Sequence, residues 1–77
     1  MSKEEILEKC QQVQRLLLGK RSVFVDVTNN KEDVITTLTI FDKRGKNCNV
    51  FTFYLFLGDD YVMKKWREVE KYINKIR

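Results

Sequence analysis

The 77 residues contain no proline and no histidine, and only three glycines and two cysteines. Without proline, and with so little glycine, the chain reads as regular elements joined by short turns. With no histidine, and with Cys10 and Cys48 far apart, a Cys/His zinc site has too few ligands. No glycine-rich phosphate loop and no Gly-x-Ser-x-Gly motif occurs, and Gly45 and Gly58 each stand alone at a turn. No apolar run approaches the roughly 20 residues that a spanning helix needs. Residues 1–9 also lack the basic-then-apolar layout of a signal peptide, so a cytoplasmic protein with reduced thiols is expected.

These absences weigh against catalysis. Asp59 and Asp60 are adjacent carboxylates, but after Gly58 and before an apolar helical pattern they read as a helix start, one of them serving as N-cap. Asp26 sits mid-strand on a face open to water. Cys10 falls on a helical apolar stripe and behaves as a small hydrophobe, and nothing near Cys48 in sequence would activate its thiol. The expectation is a non-enzyme with no catalytic residues, no cofactor, no metal and no small-molecule substrate.

What is present organises around residues 48–57, Cys-Asn-Val-Phe-Thr-Phe-Tyr-Leu-Phe-Leu. This stretch holds three of the five phenylalanines and is apolar on both faces. Ahead of it, Ser2 and Glu5 form a capping box, followed by Ile6, Cys10, Val13 and Leu17 at helical spacing, with Leu7, Leu16 and Leu18 widening the stripe. Gly19 supplies the left-handed stop. Residues 21–28 and 34–42 alternate and are rich in β-branched side chains, so both read as strands. Asn29 to Asp33 make one turn, and Lys43-Arg44-Gly45-Lys46 the next.

Register decides which side chains share a face, because a slip of one residue exchanges the faces. A four-residue loop closed by Asp42 and Asn47 puts Leu38 opposite Phe51 and Thr37 opposite Thr52. Leu38, Ile40, Phe51, Phe53, Leu55, Val23, Val25 and Val27 then point to one side. After Gly58, the residues Val62, Trp66, Val69, Ile73 and Ile76 recur at steps of four and three. On the far side of that helix lie Lys64, Arg67, Lys71 and Lys75, with Glu68 placed to pair with Lys64 and Lys75.

The predicted fold is therefore a single α+β domain over 1–77, in the order α-β-β-β-α. It has a three-stranded antiparallel meander and both helices on one face, since two amphipathic helices can cover one side of so small a sheet. The opposite face then carries Phe24, Ile35, Phe41, Val50, Tyr54 and Phe56 around a middle of Thr37, Thr39 and Thr52. A clustered aromatic set on a solvent face marks an interface.

Two functions fit. The first is a small interaction module that binds a protein partner, or a second copy of itself, through Phe24, Phe41, Val50, Tyr54 and Phe56. The second uses the net charge of +4. In it the sheet aromatics stack single-stranded nucleic acid, while Lys43, Arg44, Lys46, Lys64, Arg67, Lys71 and Lys75 hold phosphates. The main basic stripe lies on the helix, away from the aromatic face, so protein binding is the expectation. A membrane-surface role is not expected, because the apolar seam of the last helix is needed to cover the sheet.

Overall fold

A computed structural model describes residues 2–29 and 34–76. Its elements are α1 (Lys3–Leu16), β1 (Val23–Asn29), β2 (Val34–Phe41), β3 (Cys48–Tyr54), a 3-10 turn (Leu55–Leu57) and α2 (Asp59–Ile76). The order is α-β-β-β-α, and the sheet is antiparallel with β2 between β1 and β3. Asn29 closes β1, and the rest of the turn expected over 29–33 lies outside the described residues.

The local signals at the ends of α1 act as the sequence implied. The Ser2 hydroxyl accepts the Glu5 amide at 3.2 Å, and the Glu5 carboxylate reaches back to the Ser2 amide at 3.5 Å. Two backbone donors of the first turn are thereby satisfied. Beyond Leu16 the chain turns, and Gly19 takes a φ of 78° that a side chain would disfavour. Only Leu17 of the leucine run reaches the core, however. Leu16 and Leu18 are exposed, because three consecutive residues at the end of a helix cannot all face one side.

The register follows the four-residue loop. Leu38 pairs with Phe51 and Thr37 with Thr52, and the Asp42 amide donates to the Asn47 carbonyl at 2.8 Å. Asp42 does more than close this turn. Its carboxylate accepts from the amides of Lys46 and Arg44 at 3.0 Å each and of Asn47 at 3.3 Å. Donation from Lys46 first, then from the other turn amides, holds its carboxyl below the ordinary value despite some desolvation. Gly45 completes the turn with a φ of 71°.

Both helices pack on one face, where Ile6, Cys10, Val13 and Leu17 of the N-terminal segment meet Val62, Trp66, Val69 and Ile73 of α2 over Val23, Leu38, Ile40 and Phe53. Trp66 lies against Phe53 with ring centroids 6.2 Å apart, and the Lys9 ammonium sits 5.4 Å from the Trp66 ring. The tryptophan thus links both helices to the sheet, as its place on the seam predicted.

The structure corrects several details. β1 starts at Val23, not residue 21, and β3 stops at Tyr54, so Leu55, Phe56 and Leu57 turn away from the sheet. Leu55 still packs on the core, whereas Val27 is exposed near the end of β1. α2 starts at Asp59, so Gly58 precedes it and both aspartates lie in the first turn rather than one before it. There they favour the positive end of the helix dipole. Glu68 pairs with Lys65 at 3.3 Å, one turn back at i,i+3, rather than with Lys64 or Lys75. On the inner face, Thr36 is buried opposite Phe53, and its hydroxyl has no hydrogen-bond partner among the described residues.

Two outcomes follow from this packing. Trp66→Ala is expected to cost about 3–5 kcal/mol by denaturant unfolding, through loss of a buried aromatic and the cavity it leaves. A loss under about 1 kcal/mol would contradict this docking of α2. Asp42→Asn keeps the shape but removes the charge that the turn amides solvate. Because the folded pKa of Asp42 is depressed, its contribution is present above the unfolded value and disappears as pH falls through the folded one. Thermal melts should show the Asp42→Asn variant less stable than the unaltered chain at neutral pH, with the gap closing in acid. A gap independent of pH would assign the loss to geometry instead.

Candidate functional site

Four rows cross the outer face of the sheet. At one end Phe24 lies beside Thr39 and Val50, with Phe41 and Cys48 in the neighbouring row. Phe24 and Phe41 stack edge to face with centroids 5.6 Å apart. Phe24 and Val50 each keep 55% of their surface exposed. At the other end Ile35 lies beside Tyr54. Tyr54 touches Phe56 at 5.8 Å and Tyr61 at 6.5 Å between centroids. Between the two ends runs a polar row, Asp26-Thr37-Thr52.

All five residues expected to bind a partner are thus in reach of solvent, but they form two clusters and not one patch. Phe24, Phe41 and Val50 make the first. Tyr54 and Phe56 make the second, with Phe56 reaching it from the 3-10 turn rather than from β3. Tyr61 joins this cluster from the first turn of α2. No sequence motif marks Tyr61, although its place three residues after Gly58 puts it beside the strand end. Asp26, exposed in the middle of β1, is the only charged side chain on the three described strands.

The basic residues divide as well. Lys64, Arg67, Lys71 and Lys75 are exposed on α2, which covers the inner face, so they lie away from the outer one. Nearer the Phe24 cluster, Lys43, Arg44 and Lys46 are exposed in the turn after Phe41, and the Arg21 guanidinium donates to the Phe41 carbonyl at 3.4 Å. The aromatics and the main cationic stripe therefore lie on opposite sides of the sheet.

The thiols differ in environment. Cys10 is fully buried, and desolvation pushes its thiol up to about 12, so it stays protonated at neutral pH. Cys48 is exposed at the start of β3, and both are unpaired. Among the described residues no cluster of three potential metal ligands occurs, and no helix is long and apolar enough to cross a membrane. Comparison with protein-family models, with curated proteins and with solved structures finds no match.

Native-state alkylation reads the two thiols directly. Iodoacetamide at mildly alkaline pH is expected to modify Cys48 alone, with Cys10 reacting only after denaturation, as peptide mass mapping would show. Equal labelling of both in the folded protein would mean that α1 opens readily.

Proposed function

We propose that this chain is a small cytoplasmic interaction module that binds a protein partner through the outer face of its sheet. The observation that carries this reading is the pair of exposed aromatic clusters on a face that neither helix covers. Large apolar side chains clustered on a rigid sheet serve as anchors at low conformational cost, because the strands already fix their rotamers.

The chemistry of the face specifies the partner. Two apolar ends flank a polar row that carries a carboxylate, so the complementary surface is apolar at two places and offers a donor between them. Arginine or lysine on the partner would meet Asp26, and the hydroxyls of Thr37 and Thr52 extend the row with donors and acceptors. Two copies of this face packed together would instead close over both Asp26 carboxylates. No cation on the strands would offset the cost of desolvating both. The face therefore favours a different protein over a face-to-face copy. Phosphate is disfavoured by the same carboxylate, which is why single-stranded nucleic acid is the lesser reading.

Phe24→Lys combined with Val50→Lys tests the proposal. Both side chains are more than half exposed, so the variant is expected to fold and to change stability by about 1 kcal/mol or less. Proteins crosslinked to the unaltered chain in a cell extract should be lost with this variant and retained with Lys71→Glu plus Lys75→Glu. The crosslinked peptides should include residues 22–28 or 48–54. If the helix variant loses its partners while the sheet variant keeps them, the outer face is not the binding surface. Retardation of oligo-deoxythymidine that the Lys71 and Lys75 changes abolish would favour nucleic acid.

A further inference from the structure

The open edge of β3 is a second surface, separate from the outer face. In an antiparallel ladder, successive residues alternate between exchanging hydrogen bonds with one neighbour and pointing their backbone groups the other way. The Asp42 amide bonds across to Asn47 at the β2–β3 turn, and the Phe41 amide bonds back to Ser22 on the β1 side. By that alternation Asn49, Phe51 and Phe53 bond to β2. The N–H and C=O groups of Cys48, Val50 and Thr52 point outward, as does the N–H of Tyr54, whose carbonyl opens the 3-10 turn. Among the described residues no further strand lies beyond β3 to meet them.

Exposed edges are normally protected. The β1 edge shows this protection, since the Gln14 side-chain amide caps the Val23 carbonyl at 2.9 Å and the charged Asp26 interrupts the strand. β3 has none of it. Its seven residues, Cys-Asn-Val-Phe-Thr-Phe-Tyr, include no charge, no proline and no glycine, and its pairing with β2 runs without a bulge.

We propose that β3 pairs antiparallel with β3 of a second copy of this chain, joining two sheets into one of six strands. Three observations favour a copy over another occupant. First, the four outward-pointing residues are symmetric about Phe51. A two-fold axis there sets Cys48 against Tyr54 of the second copy and Val50 against Thr52. The two inner pairs exchange both bonds and the two outer pairs at least one, about six hydrogen bonds in total. Second, the charges at the two ends of the strand are opposite. The turn before β3 carries Lys43, Arg44 and Lys46 beside Asp42, and the segment after it carries Asp59 and Asp60. Antiparallel pairing brings each basic end towards the acidic end of the other copy. Third, α2 presents a suitable flank on this side. Trp66, Glu70, Ile73 and Asn74 line the groove against α1, which leaves Tyr61, Lys65, Glu68 and Tyr72 on the flank below the β3 edge. Tyr72 packs beneath Phe51 with centroids 5.8 Å apart, so it lies near the same axis and would approach its counterpart.

This arrangement leaves Asp26 and the outer face in solvent, so it is compatible with a further partner there, and the two surfaces can be tested apart. Amide hydrogen exchange on the unaltered protein, at micromolar and at millimolar concentration, reads the edge directly. The amides of Val50, Thr52 and Tyr54 should exchange freely when dilute and become protected when concentrated, while those of Asn49, Phe51 and Phe53 are protected in both. Thr52→Pro removes an outward donor without breaking the bonds to β2, so it should fold and sediment as a monomer. Phe24→Lys with Val50→Lys should lose the outer-face partner. Phe24→Lys alone should still dimerise. A nitroxide on Cys48 fixes the register, since the two labelled positions in the pair should lie about 20 Å apart. A protein that stays monomeric at millimolar concentration, a dimer whose Val50 and Thr52 amides remain unprotected, or a Cys48 separation well under about 20 Å, would each overturn the proposal.

Discussion

Asp42 holds the turn that sets β2 against β3, and with it the side to which every strand residue points. Its carboxylate gathers amides from Arg44, Lys46 and Asn47 while its own amide bonds to Asn47, so the hairpin is closed by side chain and backbone together. A shift of one residue would turn Phe53 to solvent and bring Thr52 beneath the helices. Burial of Phe53, Leu38 and Ile40 under Trp66 and Val69 in turn opposes such a slip. The turn and the core thus reinforce the same register, which is the local and global consistency expected of a chain with one native state.

That register also creates the open surfaces. Two helices cover one side of three strands, and nothing in the described residues covers the other. Phe24, Val50 and Phe56 remain outside because no described element lies over that face, not because they are misplaced. A chain of 77 residues has little core to spare, and apolar groups left in solvent forgo roughly 25 cal/mol for each Å² left unburied. Several such groups gathered on one face, with threonines between them, are better explained by association than by neutral drift of a solvent surface.

Much of this architecture was legible because its signals are local and periodic. Ser2 with Glu5, the four-three seam through Val62 and Ile73, and the Asp42–Asn47 loop each name a structure by spacing alone. The end of β3 was not legible. Tyr54, Leu55, Phe56 and Leu57 continue the alternation and favour strands, yet the last pair of the β2–β3 ladder is Ile35 with Tyr54, and Leu55 to Leu57 close into a 3-10 turn. Phe56 was recognised as exposed but placed on the wrong element for that reason. The leucine run failed differently, since periodicity admits several faces and only the turn after α1 selects Leu17. Thr36 was hidden among Ile35, Thr37 and Thr39. Its burial is a tertiary matter, and an unpartnered buried hydroxyl there costs about 1–3 kcal/mol against a fully satisfied core. For the candidate site, the aromatic residues were readable one by one. Their division into two clusters by the Asp26-Thr37-Thr52 row required the observed pairing of all three strands.

The placement of Asp26 separates the ways this molecule can associate. A carboxylate within a binding face is tolerable while water reaches it, and becomes costly when an apolar surface closes over it. A partner for the outer face must therefore bring a donor to that point, which makes the face selective as well as adhesive. Association at the β3 edge makes no such demand, because backbone groups satisfy one another and Asp26, two strands away, keeps its hydration. The selective carboxylate and the self-complementary edge thus belong to opposite sides of the same sheet. Gln14, which caps Val23 on the β1 side, reinforces the division by removing one of the acceptors that a second strand would need there.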